Sequence, residues 1–428
     1  MTRYCVIGAG AAGLSTLDQL RRAGYEADCF EQTDRVGGHW HTDYEALHLI
    51  TARDQTVFEG FPMPAEYPHF PRRDEVRDYI ESFARERGLY EAIRFGARVA
   101  SVVPLPTDGT PGAGGWRVTL SDGEARDYDG VFVANGHLWD AKVPAVSQGF
   151  SGTQLHSSAY RNTDDLGEGR VLVVGAGNSG CDLAVDAAQH RHEVDVVVRH
   201  GVFFQPKSYF GVPRQQLPWM EQFSPEEQDF IARMLSRVSL GDPEVYGLPA
   251  PAEKTLAEGR AVVNSLLLYW LQHGRIHVVP GIDRIEGRTV RFADGTSRDY
   301  GTILWATGFH ASLPFLDDAL VPRRDGVPLR YAGGLVPQGL EKLYYIGLTA
   351  PRGPQIPVYG MQARLALRLL ALHEAAPGGT ADVQAYLAGL QTADDRIDIV
   401  RVEWYDQLAD TERLLDAYAA ARAAVPAV

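Results

Sequence analysis

The chain has 428 residues, enough for two or three domains, and 45% hydrophobic with 22% charged residues is typical of a soluble globular protein. Its 41 Lys and Arg face 55 Asp and Glu, and this net charge of −14 argues against nucleic acid or anionic membrane partners, which bind positive surfaces. No apolar run reaches the ~18 residues of a membrane span, and the first residues predict a strand rather than a signal peptide. The 3 cysteines lack disulfide or metal spacing. We therefore expect a cytoplasmic enzyme without a metal site.

The first thirty residues predict a strand, a tight turn, a helix and a second strand. The apolar run 4–7 leads into Gly8-Ala9-Gly10-Ala11-Ala12-Gly13, and leucines then recur at helical spacing. The second strand, residues 27–30, ends on Glu31. A glycine turn between a strand and a helix presents backbone N–H groups at the positive end of the helix. This unit is therefore typical of a dinucleotide-binding domain.

The same pattern returns later in the chain. The apolar run 171–174 leads into Gly175-Ala176-Gly177-Asn178-Ser179-Gly180, and a strand over 194–198 ends on Arg199. Three other short motifs also occur twice in the chain, with the same number of residues between the two copies of each motif. They are Asp122-Gly123, Asp127-Tyr128 and Ala134-Asn135-Gly136, followed by Asp294-Gly295, Asp299-Tyr300 and Ala306-Thr307-Gly308. This repetition predicts two related dinucleotide-binding domains in tandem.

We accordingly predict an α/β fold with two tandem Rossmann-like domains. The first domain is discontinuous, and the predicted ranges are 1–160 with 310–428 for the first and 165–305 for the second. Residues 206–272 are richer in helix-forming residues and predict a helical insertion in the second domain. A helix over about 361–373 and a helical tail from Asp382 follow. The Gly-rich stretch 109–115 lies between two strands and predicts a hairpin loop.

The residues that end the two second strands differ in charge, which assigns a cofactor to each domain. Glu31 suits the hydroxyls of an adenosine ribose and would repel a phosphate. Arg199 matches a phosphate, and Lys207 is close enough in sequence to add a second positive charge. We therefore expect a dinucleotide with a free ribose in the first domain and NADPH in the second. Because the chain has no redox dithiol, the expected hydride acceptor is a flavin, FAD, on the first site.

Further motifs resemble the flavin-containing monooxygenases, a group of class B flavoprotein monooxygenases. Residues 150–160 match the family pattern F-x-G-x-x-x-H-x-x-x-Y/F between the glycine loops. The other matches are Gly37-Gly38-His39-Trp40, Gly177-Asn178-Ser179-Gly180-Cys181-Asp182, Trp305-Ala306-Thr307-Gly308-Phe309 and Gln362-Ala363-Arg364. The resemblance covers about residues 1–375. The related Baeyer–Villiger enzymes have Trp where this chain has Tyr160, so ketone oxidation is the alternative.

The resemblance implies that FAD, reduced by NADPH, activates O₂ as a C4a-hydroperoxide and oxygenates a nucleophilic nitrogen or sulfur of a small molecule. It also implies a homodimer, and we assign no catalytic acid or base. The predicted cofactor-binding residues are Gly8, Gly10, Ala11, Ala12, Gly13, Glu31, Gly38, His39, Trp40, Thr51, Ala52, Val99, Asn135, Gly136, Gly175, Gly177, Asn178, Ser179, Gly180, Arg199, Lys207, Thr307, Gly308 and Gln362.

One position departs from the family. Many members have Thr-Asn where this chain has Thr51-Ala52, and that Asn helps to hold the flavin adduct and NADP⁺. The side chain of Ala52 cannot form a hydrogen bond, so Arg53, Gln55 or a water would have to replace it. In the linker, we expect His156 to couple the domains rather than to transfer protons.

Two interpretations from other classes stay open at this point. One is a flavin reductase or oxidase, which would release hydrogen peroxide and form no oxygenated product. The other is a nucleotide sensor without catalytic activity. The sequence does not identify the substrate.

Overall fold

The computed structural model describes residues 3–259, 261–375 and 383–423. Its α-helices are α1 (Ala11–Arg22), α2 (Arg73–Glu86), α3 (Asn178–Gln189), α4 (Pro225–Leu240), α5 (Leu266–Gln272), α6 (Ile356–Glu374), α7 (Val383–Leu390) and α8 (Arg401–Ala423). Among the described residues, no helix combines the length and the apolar character needed to cross a bilayer. Asp382, where we predicted the start of the helical tail, lies outside the described residues.

The first sheet contains five parallel strands. In spatial order they are Leu343–Tyr345, Gly130–Val133, Arg3–Ile7, Glu26–Phe30 and Ile93–Arg94. On the central strand, Tyr4 and Val6 pack into one core cluster, whereas Cys5 and Ile7 pack into another. The sheet is therefore covered on both faces, which explains why this strand is a continuous apolar run.

The second sheet repeats this architecture. Its five parallel strands are, in spatial order, Ile276–Val279, Val194–Val197, Val171–Val174, Thr302–Trp305 and Thr153–His156. The prediction of an α/β fold with two Rossmann-like units is thus confirmed. However, we assigned residues 153–156 to the first domain, and they pair instead with Thr302–Trp305 in this sheet. The pairing covers an otherwise unpaired edge of the second sheet.

Each parallel sheet is accompanied by a three-stranded antiparallel sheet. The strands are Val99–Pro104, Trp116–Leu120 and Ala125–Tyr128 in the first, and Ile282–Glu286, Thr289–Phe292 and Ser297–Asp299 in the second. The Gly-rich residues 109–115 connect the first two strands, so the prediction of a hairpin loop is confirmed. Short pairs complete the set: Phe203–Gln205 with Ala261–Val263, Ser208–Tyr209 with Val212–Pro213, Arg323–Arg324 with Val327–Pro328, Arg330–Tyr331 with Val336–Pro337, and Ala350–Pro351 with Asp398–Ile399.

The internal repeat extends to a carboxylate in each second strand. Asp28 accepts a hydrogen bond from the Tyr128 hydroxyl at 2.7 Å, and Asp195 accepts one from the Tyr300 hydroxyl at 2.6 Å. Each carboxylate also pairs with the arginine two residues before its tyrosine. Because a buried carboxylate is stable only when it is paired and hydrogen-bonded, these contacts account for the buried Asp195 and the partly buried Asp28 within their strands. The occurrence of this arrangement in both sheets supports the tandem repeat.

Residues 206–272 are not uniformly helical, so the predicted helical insertion is not confirmed as such. Helix α4 begins as the sequence indicates, with a capping box between Ser224 and Glu227 and with Pro225 in its first turn. Helix α5 follows, but three short strands also lie within this range. We refer to residues 206–263 below as the insertion.

The C-terminal helices pack on the first unit. Helix α6 starts at Ile356 and not near residue 361, because Pro357 in the first turn blocks no helical hydrogen bond. Helix α1 packs along α6. In the tail, Trp404 and Leu415 are fully buried. The tail therefore contributes core packing.

Candidate active site

The two glycine loops share one backbone geometry at their first glycine. Gly8 has φ 99° and Gly175 has φ 114°, a region that disfavours every other residue. A Cβ on Gly8 would lie 2.7 Å from the Ala134 carbonyl oxygen, and one on Gly175 would lie 2.5 Å from that of Ala306. Each loop therefore passes directly over the small-residue turn that ends a neighbouring strand.

The third glycine of each loop allows close packing of helix and strand. A Cβ on Gly13 would lie 1.8 Å from the Gly8 oxygen, and one on Gly180 would lie 1.9 Å from the Gly175 oxygen. No side chain fits at these distances. These glycines are thus required by the fold itself, whether or not a ligand is bound.

The middle glycines have a different role. Gly10 and Gly177 cap α1 and α3 with φ −73° and −76°, which any residue adopts. A Cβ on Gly177 would meet nothing within 4 Å, and one on Gly10 would meet only Gly38 Cα at 3.9 Å. The fold does not need glycine at either position. Both leave room for an added Cβ before a helix N-terminus, where Ala11, Ala12, Asn178 and Ser179 form the first turns, and a helix N-terminus of this kind suits an anion.

Glu31 closes the first loop. It is buried, and its Oε2 accepts the Ala9 N–H at 2.8 Å while its Oε1 accepts the Thr33 N–H at 2.8 Å. The Thr33 hydroxyl also donates to Oε1 at 2.9 Å, so the carboxylate retains capacity for about one further donor, such as a ribose hydroxyl. The position of Glu31 beside the loop fits a dinucleotide with an unphosphorylated ribose.

The predicted flavin loop lies against the first glycine loop. Gly37 donates its N–H to the Ala9 oxygen at 3.0 Å, and Gly38, with φ 60°, approaches Gly10. The ring of His39 lies 5.1 Å from that of Trp40, which packs partly buried against the core. His39, His41 and His48 bond to Asp43, Val36 and Ala46, respectively. In the part of the chain that the structure describes, no group of three or more His, Cys, Asp or Glu is arranged to hold a metal.

The structure shows which neighbouring side chain is free to form the hydrogen bond that the side chain of Ala52 cannot form. Ala52 is fully buried, and the neighbouring Thr51 hydroxyl is paired with that of Thr56 at 2.7 Å. The Arg53 guanidinium is held by backbone oxygens of residues 65 and 67 and by Asp54. The amide nitrogen of Gln55 donates to the Gln215 oxygen at 3.1 Å, but its buried Oε1 has no partner. Gln55 therefore remains available, whereas Arg53 does not.

Two segments cross between the units side by side. Lys142 N–H donates to the Gly308 oxygen at 2.9 Å, His310 N–H donates to the Asp140 oxygen at 2.8 Å, and the Thr307 hydroxyl donates to the Lys142 oxygen. We call residues 139–142 and 307–310 the paired crossings. Gly136 and Gly308 both have positive φ, and Asn135 donates to the Ser312 oxygen at 3.0 Å.

His156 joins the second sheet to these crossings. Its Nε2 lies 2.9 Å from the Gly308 oxygen, its Nδ1 lies 2.9 Å from the Ser158 hydroxyl, and its ring contacts Phe309 edge-on. Burial lowers the pKa of the imidazole, so the neutral ring donates from Nε2. These contacts are those of a structural coupling residue.

Gln362 and Val99 differ in what they can offer a cofactor. Gln362 is fully buried in α6, its Oε1 accepts the Gly347 N–H at 2.9 Å, and its Nε2 has no partner. An orphaned buried donor is unusual and fits a ligand that accepts from it. The side chain of Val99 belongs to the core cluster with Phe30, so only its backbone can face a ligand.

A polar network at the second loop was not predicted from the sequence. The Asp182 carboxylate accepts hydrogen bonds from the Tyr44 hydroxyl at 2.9 Å and from the Asn264 amide at 2.8 Å. Burial raises the pKa of Asp182 to about 6, against the opposing effects of these bonds and of Lys207. Tyr44 also interacts with Ser179, and Asn178 accepts the Val263 N–H at 2.9 Å. The network joins the first unit to the predicted NADPH loop.

The two predicted phosphate-binding cations have different surroundings. Arg199 is exposed at the end of its strand, its side chain lies along Gly281, and it forms no ion pair with the described residues. The Lys207 ammonium lies 5.4 Å from the centre of the Phe70 ring and is attracted by Asp182. Arg199 is thus exposed at the strand end, whereas the Lys207 ammonium faces an aromatic ring and is attracted by a carboxylate.

The three cysteines are unsuited to redox chemistry. Cys5, Cys29 and Cys181 are free and fully buried. Burial raises the pKa of each thiol well above its usual value, so the reactive thiolate is not populated. Electron transfer must therefore depend on groups other than these thiols.

Comparison with known proteins identifies the family. A family model described as flavin-binding monooxygenase-like matches residues 1–383. The chain is 31% identical over 396 residues to dimethylaniline monooxygenase (N-oxide-forming) 2 of Rattus norvegicus, covering 86% of this chain and 73% of that protein. Two solved structures show the same fold. They are a flavin-containing monooxygenase from Stenotrophomonas maltophilia (TM-score 0.68, 22% identity, 88% of this chain and 100% of that one) and a cyclohexanone monooxygenase (TM-score 0.69, 17% identity, 98% of each chain).

The family match agrees with the resemblance seen in the sequence, and it spans both glycine loops, the linker and α6. This protein belongs to the flavin-binding monooxygenase-like family and is a flavoprotein oxidoreductase of the monooxygenase class.

Proposed function

We propose that the protein is an NADPH-dependent FAD monooxygenase that oxygenates a nucleophilic nitrogen or sulfur atom of a small molecule. In this reaction one atom of O₂ is transferred to the substrate and the other leaves as water, with two electrons from NADPH. The observation that carries the proposal is the pair of glycine loops with equal geometry but opposite strand-end charges, Glu31 and Arg199. A carboxylate favours a free ribose and a guanidinium favours a phosphate.

The chain's own residues supply binding and orientation. The open space at Gly10 and Gly177 receives the two pyrophosphates, and Glu31 holds the first adenosine ribose. The buried Gln362 Nε2, which has no partner in the structure, would donate to the flavin. Arg199 holds the phosphate that distinguishes NADPH from NADH. FAD, when bound, accepts electrons from NADPH and supplies the activated oxygen.

Residues of the site also limit the supply of protons to the reaction with oxygen. His156 is neutral and engaged on both ring nitrogens, so it has no proton to release near the crossings. Gln55 offers an uncharged amide where Ala52 offers a methyl group. Uncharged, hydrogen-bonded groups of this kind exclude proton donors that would release hydrogen peroxide.

The test uses the purified full chain with NADPH, isotopically labelled O₂ and a mixed panel of tertiary amines, thioethers and ketones. We expect flavin absorbance, NADPH consumption and labelled N-oxides or sulfoxides by mass spectrometry. Labelled esters from the ketones would instead identify a Baeyer–Villiger enzyme. Hydrogen peroxide equal to the NADPH consumed, across the whole panel, would identify a reductase or oxidase.

A further inference from the structure

Side-chain hydrogen bonds connect the chain next to the predicted flavin loop with the predicted NADPH loop. The Tyr44 hydroxyl donates to the Asp182 carboxylate at 2.9 Å, and the Asn264 amide donates to the same carboxylate at 2.8 Å. The Leu267 N–H donates to Asn264 Oδ1 at 2.9 Å, which fixes the orientation of that amide. Tyr44 also interacts with the side chain of Ser179. We call Tyr44, Asp182 and Asn264 the inter-loop network.

Tyr44 is tied to the flavin loop by local bonds and to the second unit by packing. Thr42 and Asp43 donate their backbone N–H groups to the His39 oxygen at 2.8 and 2.9 Å, and the Asp43 carboxylate contacts the His39 ring. Tyr44 itself is buried, in a core cluster whose other buried members come from residues 160–304. The chain that leaves the flavin loop is therefore anchored in the second unit.

Asp182 lies one helical turn from the start of α3. Because residues four apart in a helix share a face, Asp182 and Asn178 are neighbours on the helix surface. Both are bonded to one short segment, since Asn178 Oδ1 accepts the Val263 N–H at 2.9 Å and Asp182 accepts the Asn264 amide. The inter-loop network thus holds the first turn of α3, where we place the pyrophosphate of NADPH.

Charge and burial make the inter-loop network a strong contact. Burial raises the pKa of Asp182 to about 6, so the carboxyl is ionised at pH 8 and can accept from both partners. Lys207 attracts the same carboxylate. Hydrogen bonds to an ionised group are roughly twice as strong as those between neutral groups. Because Tyr44 and Asn264 are buried, water does not readily replace these bonds.

A second tyrosine–carboxylate bond on α3 provides a comparison. One turn farther along the helix, Asp186 accepts the Tyr160 hydroxyl at 2.6 Å. Tyr160 follows the edge strand Thr153–His156 of the second sheet, so this bond lies within the second unit. A bond that only stabilised α3 needs no residue from the first unit. Tyr44 comes from the first unit, which points to a role between the two loops.

We propose that Tyr44 and Asp182 are positioning residues for hydride transfer, because their hydrogen bond sets the place of the NADPH loop relative to the flavin loop. This inference rests on the proposed function and names residues that control its first step. In that step a hydride, two electrons with one proton, passes from NADPH, which becomes NADP⁺, to FAD, which becomes FADH⁻. The reacting atoms must approach to about 3–3.5 Å, and a misplacement of about 1 Å can slow such a reaction about a hundredfold.

The first test measures flavin reduction in the FAD-loaded full chain at pH 8. Stopped-flow absorbance follows reduction by saturating NADPH, and reduction by dithionite, which needs no nucleotide loop, is the internal control. Tyr44→Phe keeps the buried ring and removes the hydroxyl. We expect it to lower the limiting rate with NADPH by at least about tenfold and to leave the rate with dithionite unchanged.

Two further variants complete this test. Tyr160→Phe is the matched control, because it removes the corresponding hydroxyl from a bond within the second unit. It should be reduced by NADPH at the wild-type rate. Asp182→Asn should slow reduction as Tyr44→Phe does, and the double variant should be no slower than the slower single variant, because the two residues act through one bond.

Hydrogen–deuterium exchange of the FAD-loaded protein gives a readout that does not depend on turnover. We expect NADP⁺ to slow exchange in residues 175–182 of the wild type, and also in residues 38–44, because the inter-loop network connects them. In Tyr44→Phe, only residues 175–182 should respond.

The outcomes separate this inference from the proposed function. The expected exchange pattern, without an oxygenated product from any substrate, would contradict the proposed reaction and still support the inter-loop network. Oxygenated product together with an unchanged rate of reduction in Tyr44→Phe would overturn the inference and leave the proposed function standing. Equal slowing in Tyr160→Phe, or slower reduction by dithionite, would assign Tyr44 a merely structural role and also overturn it. Absence of any response to NADP⁺ in the wild type would count against both.

Discussion

Gly177→Ala separates the requirements of the fold from those of the nucleotide. With φ −76° and nothing within 4 Å of the added Cβ, alanine is neither strained nor crowded at this position. We expect the variant to stay within about 1 kcal/mol of the wild-type stability, because the unfolded-state gain from replacing glycine is opposed by the preference of the N-cap for glycine over alanine. The methyl group nevertheless occupies the space in which we place the NADPH pyrophosphate. Overpacking of that size costs about 1–3 kcal/mol, or roughly 5- to 150-fold in NADPH affinity.

Gly180→Ala provides the matched comparison. Its Cβ would lie 1.9 Å from the Gly175 oxygen, so α3 must move by about 1 Å to relieve the contact. This variant should unfold at a lower temperature than the wild type, unlike Gly177→Ala. Thermal unfolding of the FAD-loaded proteins, with flavin content from absorbance and the KM for NADPH, distinguishes the two. An unchanged KM for NADPH in Gly177→Ala would refute the assignment of this loop to the pyrophosphate.

Three further substitutions test individual contacts. Arg199→Ala should lower the preference for NADPH over NADH, measured as the ratio of kcat/KM values, by at least about tenfold, and an unchanged ratio would contradict its role. Asp182→Asn tests the carboxyl whose pKa is raised to about 6. Because the folded state holds that proton more tightly than the unfolded state, the wild type should lose up to about 3 kcal/mol relative to the variant between pH ~4 and pH ~6. Denaturant unfolding that gives the same difference at both pH values would disprove this. Tyr160→Phe removes the hydroxyl that donates to the Asp186 carboxylate at 2.6 Å and should cost about 1–3 kcal/mol of stability with no change in the KM for NADPH. An unchanged unfolding temperature would show that this bond contributes nothing.

Local chemistry explains which parts of the fold could be predicted from the sequence. The glycine loops could be predicted from the sequence because backbone contacts at Gly8 and Gly13 leave no room for any side chain, so these positions must be glycine. The start of α6 could not be predicted from the sequence. Proline disrupts a helix at most positions, but Pro357 lies in the first helical turn, where it does not. The edge strand Thr153–His156 depends on pairing with residues far along the chain, which a local pattern does not contain.

In the candidate site, too, local features could be predicted from the sequence and long-range contacts could not. Glu31 and Arg199 could be proposed from the sequence because their charge and their position at the end of a strand are local properties. The surroundings of Lys207 could not be predicted from the sequence, because its approach to Phe70 and Asp182 depends on how the insertion folds back over the first unit.

The paired crossings limit how the two halves of the enzyme can move. A single flexible tether would permit rotation about any axis. Here the strands of chain that pass between the halves are bonded to each other at Ala141 and Phe309 and are clamped by His156. Sliding or twisting would break these bonds, while bending both segments together preserves them. We therefore expect any relative motion of the two halves to bend both segments together rather than to slide one past the other.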